Sequence, residues 1–333
     1  MDKTKRQPKE AVTERTSDET FYGYVDKYHA TRRIQILREH PELRQLFRID
    51  PSFKFVAAAV AFSHLTLAYM LQGASLPYVI TMAMIVGTLY NCAIANSLHE
   101  TVHHQAVKQS VLLNKVFGGV INLALGWPSV GGYYRTHRNH HSYLGTALDA
   151  KYPNLEESEL YDYSFWKRVQ FVLLHPISFG ARWGAIAKDE EPTQFMNINF
   201  WSVWAFDILF WYFTSWKSLL YLLLSFWSND CFFVQGSKNF ADHRVEEDGE
   251  AVTSSNYGIF NLVNFNIGYH REHHDLPNVP GRYLKLVPQI APEHYSDERY
   301  IAPSLFAPMI RMLLAPPGQG IRVHAHKMHA KTQ

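Results

Sequence analysis

The sequence predicts an all-α integral membrane protein: four transmembrane helices in two hairpins, with a cytosolic helical cap that carries clustered histidines. The first observation is a run of 44 residues, 55–98, without Asp, Glu, Lys or Arg. The second is the run 195–235, in which only Asp207, Lys217 and Asp230 are charged. A spanning helix needs about 20 apolar residues. Each run is therefore long enough for two helices and a turn.

The third observation is the distribution of basic residues. Of the 32 Lys and Arg residues, only Lys217 lies within the two apolar runs. By the positive-inside rule, both termini and the segment between the hairpins then face the cytosol. Two buried hairpins of a soluble core would not sort basic residues in this way. Polar breaks within each run place the predicted spans at about 55–71, 78–98, 195–213 and 218–235.

The remaining segments divide the chain further. Residues 1–20 are polar and charged, which indicates a disordered N-terminal segment and no cleavable signal peptide. Residues 21–54 form an N-terminal region whose stretch 28–47 is predicted to be a helix, lying on the membrane surface or packed on the rest of the domain. Residues 55–300 form the membrane domain, and 301–333 are a C-terminal tail.

Two apolar stretches between the hairpins are less regular than the predicted spans. Residues 111–130 contain Lys115, three glycines and a proline, and residues 165–187 contain three basic residues and a proline. A single crossing by either stretch would place the histidine motifs on opposite sides of the membrane. Both stretches are therefore interpreted as interfacial segments.

Eight of the 18 histidines fall in three motifs. These are HETVH with His99 and His103, HRNHH with His137, His140 and His141, and HREHH with His270, His273 and His274. Spacings of three and four place such side chains on one face of a helix. Asn239 and His243 in NFADH, just beyond the last span, repeat the i,i+4 spacing on a predicted helical extension. All of these residues fall on the cytosolic side of the predicted topology.

Imidazole is a ligand for iron, zinc and copper, and so many converging imidazoles exceed what one ion accepts. Two metal ions are therefore predicted. HETVH alone also matches the zinc-protease motif in which Glu100 would be the general base. A zinc hydrolase needs only three protein ligands and an open position, so HRNHH and HREHH would have no role in a membrane metalloprotease. A binding or transport protein with structural histidines is a further alternative.

The other histidines are expected to be ordinary surface or core residues. His104 repeats no ligand spacing and is expected to lie beside the ligands. The remainder are His29, His40, His64, His175 and His294, together with the solvated tail residues His324, His326 and His329.

The order of the motifs over four predicted spans resembles the membrane fatty-acyl desaturase and hydroxylase superfamily. Within it, residues 28–47 (YHATRRIQILREHPELRQLF), 137–146 (HRNHHSYLGT) and 261–281 (NLVNFNIGYHREHHDLPNVPG) resemble sphingolipid Δ4-desaturases. The resemblance extends from about residue 21 to about residue 300 and is most specific in the last stretch.

The resemblance implies a di-iron centre as the catalyst, with no separate side-chain base. The iron ligands it implies are His99, His103, His137, His140, His141, His243, His270, His273 and His274, with Asn239 approaching one iron through water. Lys238 is a departure, because the resemblance leads us to expect a further histidine at that position.

The activity implied is O2-dependent desaturation of the sphingoid base of dihydroceramide at C4–C5 to give ceramide, with O2 reduced to water. Electrons are expected from reduced cytochrome b5 and its reductase, because the sequence has no haem motif of its own and no Gly-rich nucleotide signature. The expected location is the endoplasmic reticulum membrane, without a nucleic-acid partner. A sphingolipid C4-hydroxylase and an acyl-lipid desaturase of the same superfamily remain alternatives. Trp201, Trp204, Trp211 and Tyr221 are candidates for lining a substrate tunnel, although aromatics in spans more often anchor at the interface.

Overall fold

The computed structural model describes residues 27–108, 110–144, 148–186, 193–245 and 251–321. The helices are α1 Lys27–Glu39, α2 Phe53–Met70, α3 Leu76–Val102, α4 Val111–Asn122, α5 Val130–Ser142, α6 Leu155–Tyr161, α7 Phe165–Leu173, α8 His175–Ile186, α9 Gln194–Phe213, α10 Trp216–Cys231, α11 Val234–Ala241, α12 His270–Asp275, α13 Gly281–Leu284, α14 Val287–Ile290 and α15 Ala307–Leu314. Short 3-10 helices cover Pro41–Leu46, Leu71–Gly73, Leu123–Leu125, Ile259–Leu262, Pro292–His294 and Glu298–Tyr300. The strands β1 His243–Val245 and β2 Ala251–Thr253 form an antiparallel pair.

Two helices in the described part of the chain are long and apolar enough to cross a membrane. They are Phe53–Gly73, which continues α2, and Leu76–Val102. The pair α4 and α5, which is bent by 113°, makes a third candidate if it forms one broken span or a re-entrant loop. Because each spanning helix pairs all of its backbone groups internally, the apolar first run forms a helical hairpin as predicted.

The second predicted hairpin is present as the helices α9 and α10, but neither is among the described helices that are long and apolar enough to cross a membrane. Their helices begin at side-chain caps, where Thr193 accepts from the backbone of Met196 and Ser215 accepts from Ser218. Such caps satisfy backbone N–H groups that have no partner inside the helix. Helix α10 packs against α2 and α3, and a Cβ at Gly87 in α3 would collide with Ser225. The four helices therefore form one bundle.

The N-terminal region packs on the rest of the domain. Ile36 of α1 and Leu43 and Leu46 of the following 3-10 helix are buried in one apolar cluster with Ile267 and Leu276. Of the two placements that the sequence left open, the structure thus has the packed helix. This packing carries α1 to the third histidine motif.

The structure corrects two predictions around the last histidine. The predicted span 218–235 ends earlier, because α10 stops at Cys231 and α11 begins at Val234. The predicted continuous helix through Asn239 and His243 is wrong, since α11 ends at Ala241 and His243 opens β1, paired with Thr253. The all-α prediction missed this hairpin because three-residue strands carry too little alternation to be detected.

Candidate metal centre

Five imidazoles from three segments form the first histidine group. The group consists of His99, His103, His137, His141 and His273, and one nitrogen of each lies within 4.8 Å of the others. His99 lies in the last turns of α3 and His103 directly follows that helix. The Nε2 atoms of the five residues form a chain of close contacts. The Nε2–Nε2 distances are 3.1 Å between His99 and His273, 3.0 Å between His273 and His141, 3.1 Å between His141 and His137, and 2.8 Å between His137 and His103.

The second group has four imidazoles, His140, His243, His270 and His274, again with one nitrogen of each within 4.8 Å of the others. Nε2 of His270 lies 2.8 Å from that of His243 and 3.1 Å from that of His274. His140 donates Nδ1–H to Asp149 at 2.8 Å, so its Nε2 carries a lone pair. This Nε2 is buried and has no hydrogen-bond partner among the described residues.

The two groups adjoin because the HxxHH motifs are divided between them. In α5, His137 and His141 join the first group and the intervening His140 joins the second. In α12, His270 and His274 join the second group, and His273 joins the first. The rings of His141 and His274 stack across the boundary with centroids 4.3 Å apart. The structure therefore brings all nine predicted histidines into one pocket.

The geometry of the nitrogens fits a pair of metal ions. Imidazole nitrogens bind metals at about 2.1 Å, which separates adjacent ligand atoms around one ion by about 3 Å. The observed Nε2 separations, 2.8 to 3.1 Å, match this spacing. When each of these nitrogens carries the lone pair that metal binding requires, the facing lone pairs repel in a buried pocket unless a cation lies between them. The Nε2 atom of His140, which has no hydrogen-bond partner among the described residues, would likewise be stabilised by a cation.

Burial keeps these imidazoles neutral, which is the form that binds metals. Burial is the largest cause that lowers the pKa of His137, His141 and His273 far below the usual histidine value, and neighbouring imidazoles lower it further. The same cause lowers the pKa of His270 and His274. The pocket is therefore lined by neutral nitrogen donors that could hold metal ions.

Carboxylates lie behind the second group. Besides the hydrogen bond from His140 to Asp149, Asp242 Oδ2 lies 3.6 Å from Nδ1 of His270. A carboxylate behind a ligating imidazole fixes its tautomer and raises its basicity. Burial raises the pKa of Asp242 to about 6, although Lys238, whose Nζ lies 3.5 Å away, offsets part of this increase. The departure Lys238 is thus the ion-pair partner of this carboxylate.

The glutamate of HETVH lies on the side of His99 away from the other imidazoles, with its Oε1 3.6 Å from Nδ1 of His99, whereas Nε2 of His99 faces His273. Both oxygens of Glu100 accept from the backbone N–H of Gly281, at 3.2 and 3.3 Å. A Cβ at Gly281 would collide with the carbonyl oxygen of Phe265. Only glycine at this position therefore allows the backbone to come close to Glu100. Glu100 therefore anchors the chain after α12. This placement argues against a zinc-protease base at Glu100, as does the presence of five imidazoles in its group.

The N-terminal helix α1 supports the third motif through a residue that the sequence did not single out. Asp275 follows His274 and is fully buried. It accepts from Nδ1 of His29 at 2.7 Å and from the guanidinium of Arg32 at 3.0 and 3.1 Å. His29 also contacts Thr253 Oγ1 at 2.9 Å, beside the β1 residue His243. The segment 28–47, which resembles the sphingolipid Δ4-desaturases, therefore has a structural role: its residues His29 and Arg32 hold Asp275 beside the histidine pocket.

Asn239 does not hydrogen-bond a histidine of either group. Its amide nitrogen lies 3.2 Å from Nε2 of His175, whose Nδ1 lies 2.9 Å from Oδ2 of Asp230. Asn239, His175 and Asp230 line a cavity of about 420 Å³ that also exposes His99, His137 and His270. None of the four tunnel candidates lines this cavity. Trp127 and Trp183 do, and nothing in the pattern of apolar residues distinguished them.

The remaining histidines are outside both groups. His104 has φ of +57° and follows the end of α3, and its ring lies 5.8 Å from that of Tyr134. His40 and His294 form a partly exposed group with Glu293. His64 is buried in the bundle, where its Nδ1 lies 3.0 Å from the carbonyl of Ala124. The disordered-segment prediction for 1–20 and the tail residues His324, His326 and His329 lie outside the described residues.

Family comparisons agree with this architecture. A model of the fatty acid desaturases matches residues 73–302, and a model of the sphingolipid Δ4-desaturases matches residues 21–52. The first match contains all nine clustered histidines and the second contains all of α1. An apolar helical hairpin that ends in clustered histidines, together with this match, defines the class of membrane desaturases.

Comparison with individual relatives identifies the family within the membrane desaturases. The chain is 34% identical over 278 residues to sphingolipid delta(4)-desaturase DES1 of Drosophila melanogaster, covering 82% of this chain and 84% of the relative. It is 33% identical over 287 residues to the Homo sapiens DES1, covering 85% and 88%. A Caenorhabditis elegans relative, named as a candidate delta(4)-desaturase/C4-monooxygenase, is 32% identical over 283 residues, covering 84% and 77%. The chain belongs to the sphingolipid Δ4-desaturase family.

Proposed function

We propose that the protein is an O2-dependent di-iron desaturase that converts dihydroceramide to ceramide by introducing the C4–C5 double bond of the sphingoid base. The observation that carries the proposal is the pair of adjoining imidazole groups, five and four residues strong, in a chain of the sphingolipid Δ4-desaturase family. The relatives from Drosophila melanogaster and Homo sapiens, whose names state a sphingolipid delta(4)-desaturase, support the sphingolipid and Δ4 parts of the proposal.

The residues that would hold the two irons are the nine histidines of the two groups. Asn239 is the proposed water-mediated neighbour of one iron, because its amide nitrogen faces His175 and its amide oxygen has no donor among the described residues. The irons would activate O2. Removing hydrogens from an unactivated methylene pair needs a stronger oxidant than any side chain can provide. Asp149 holds His140 in one tautomer, and the apolar side of the cavity keeps water from the alkyl chain.

The cellular setting follows from the same proposal. The chain would have four spans, α2, α3, α9 and α10, with both termini in the cytosol and the histidine pocket at the cytosolic face of the endoplasmic reticulum membrane. Reduced cytochrome b5, served by its reductase, would deliver the electrons at this face, and O2 would be reduced to water. The positive-inside distribution of 31 of the 32 Lys and Arg residues supports this topology.

A second candidate is 4-hydroxylation of the same sphingoid base, favoured by the name of the Caenorhabditis elegans relative. Both reactions begin with removal of one hydrogen. A desaturase then removes a second hydrogen from the neighbouring carbon, and a hydroxylase adds oxygen to the first. The same imidazole pocket serves either outcome.

Expression in a desaturase-null host, followed by mass spectrometry of lipids, tests the proposal. The expected product lacks two hydrogens at C4–C5 of the sphingoid base. A product that gains one oxygen atom would establish the hydroxylase, and a change confined to glycerolipid acyl chains would overturn the sphingolipid assignment. Metal analysis of the purified protein should give about two irons per chain. Stoichiometric zinc without iron would favour the metalloprotease alternative.

A further inference from the structure

The cavity beside the histidines has two chemically different sides. One side is apolar and includes Leu98, Trp127, Phe179, Trp183 and Phe226. The other side is polar and includes His175, Asp230 and Lys238, which we call the polar wall. A ligand that fits such a cavity has an alkyl part and a polar part side by side.

The polar wall is produced by the break between α10 and α11. Asp230 lies in the last turn of α10, and Lys238 lies in α11, which restarts at Val234. A Cβ at Gly236 would collide with the carbonyl of Cys231, so the close return of the chain needs glycine at this position. The break therefore turns two polar side chains from successive helices toward one cavity.

The polar wall has hydrogen-bonding capacity that the protein does not use. Asp230 Oδ2 accepts from Nδ1 of His175 at 2.9 Å, and the described residues give Oδ1 no donor. Lys238 is buried, and Asp242, with Oδ2 at 3.5 Å, is its one ionic partner in the described part of the chain. An ammonium has three N–H donors. A ligand can therefore donate to Asp230 and accept from Lys238 at the same time.

Both lysines that line the cavity lie near carboxylates. Lys238 Nζ lies 3.5 Å from Asp242, and Lys151 lies near Asp242 and Asp149. Because these cations already have anionic neighbours, a headgroup with hydroxyl and amide groups can bind here without bringing a charge of its own. The wall thus suits a neutral polar headgroup.

The wall also lies close to the histidine pocket. His99, His137 and His270 line the same cavity, and Asp242, the partner of Lys238, lies 3.6 Å from Nδ1 of His270. In a sphingoid base, the C4–C5 bond begins one bond away from the carbon that bears the C3 hydroxyl, so a reacting bond at the metals places the headgroup beside them. A lipid that reacts in the middle of an acyl chain would instead need apolar lining there.

We propose that the polar wall of His175, Asp230 and Lys238 is the subsite for the neutral headgroup of the sphingolipid substrate. Asp230 accepts from a headgroup hydroxyl, Lys238 donates to a headgroup oxygen, and His175 positions Asp230. This assignment rests on the proposed function and adds to it the residues that select a headgroup.

Lipid binding to the purified full-length enzyme tests the subsite. The experiment is done without O2 or reductant, so that no turnover occurs. It follows the change in total tryptophan fluorescence, to which Trp127 and Trp183 in the cavity contribute. The ligands are a short-chain dihydroceramide, its 1-phosphate, and an N-alkyl amide of equal length without hydroxyls. The variants are Asp230→Asn, Lys238→Met and, as a control on the exposed Lys285, Lys285→Met.

We expect Asp230→Asn and Lys238→Met each to weaken dihydroceramide binding about tenfold, the effect of losing a hydrogen bond to a charged group. Binding of the N-alkyl amide should stay as in the wild type, and Lys285→Met should bind every ligand normally. Equal weakening for dihydroceramide and the amide, unchanged dihydroceramide binding, or loss of iron from both wall variants would overturn the subsite. Tighter binding of the 1-phosphate than of dihydroceramide would overturn its neutral selectivity.

The same data separate the subsite from the proposed function. If the wild type desaturates dihydroceramide and the wall variants bind it normally, only the subsite is wrong. If the wild type neither binds nor converts dihydroceramide, the proposed function is wrong.

Discussion

Histidines form two kinds of cluster in this molecule, one buried in the pocket and one at the surface. In the pocket, Nε2 atoms face other Nε2 atoms, as between His103 and His137 at 2.8 Å. At the surface, Nε2 of His40 faces Glu293 at 2.5 Å and Nε2 of His294 faces Glu39 at 2.8 Å. The surface imidazoles have carboxylate partners at Nε2, whereas in the pocket the Nε2 atoms face other Nε2 atoms or, in His140, no partner among the described residues. Of these two clusters, we therefore expect a cation in the pocket and not in the surface group.

The largest effect is expected from His273→Ala in the five-imidazole group. The variant removes a ligand whose Nε2 lies close to those of both His99 and His141. Iron content should fall from about two to about one or fewer per chain, and desaturation should fall at least a hundredfold, beyond the effect expected for residues behind the ligands. Metal analysis and lipid mass spectrometry measure both. Wild-type iron content in this variant would contradict the proposal that the buried histidines, unlike the surface ones, bind metal.

A smaller effect is expected from Asp149→Asn, because Asp149 is not itself a member of either group. The amide removes the negative charge that receives Nδ1–H of His140, a fully buried contact. Loss of a carboxylate behind a ligating imidazole lowers metal affinity by about 10- to 100-fold. Competition with a chelator should therefore remove metal from the four-imidazole group first. As a matched control, Asp297→Asn changes an exposed carboxylate and should leave the chelator titration unchanged. Equal chelator sensitivity in the two variants would contradict the role of Asp149.

The sequence was sufficient for the bundle and for the histidines because both rest on local patterns. Uncharged runs define α2 and α3, and the i,i+3 and i,i+4 spacings place His137, His140 and His141 on α5. The sequence could not show which histidines share a group, since His140 and His141 are neighbours that separate only when α3, α5 and α12 pack together. The roles of His29 and Asp275 were missed because 246 residues separate them.

Arg32→Met should reduce stability more than metal binding. Arg32 is mostly buried and binds both oxygens of Asp275, which is fully buried. Removing one partner of a buried ion pair is destabilising, and because Asp275 keeps its hydrogen bond with His29, the cost should be at the low end, about 3 kcal/mol or less. Thermal unfolding in detergent should therefore occur at a clearly lower temperature.

Arg38→Met on the same helix is the control for Arg32→Met. Arg38 is 75% exposed and lies 3.7 Å from Glu39, so its removal should leave the unfolding temperature at the wild-type value. Equal shifts in the two variants would mean that the contact with Asp275 is not what holds α1 on the third histidine motif.

The smallest effect is expected from the double variant His40→Ala, His294→Ala in the surface cluster. His40 loses contacts to Glu42 and Glu293 and His294 loses a contact to Glu39, all exposed carboxylates that water can solvate. Iron content and desaturation should equal those of the wild type, because the carboxylates and not a metal satisfy these imidazoles. Loss of one metal ion per chain would identify a third metal site at the surface. It would contradict the proposal that only the buried of these two clusters binds metal.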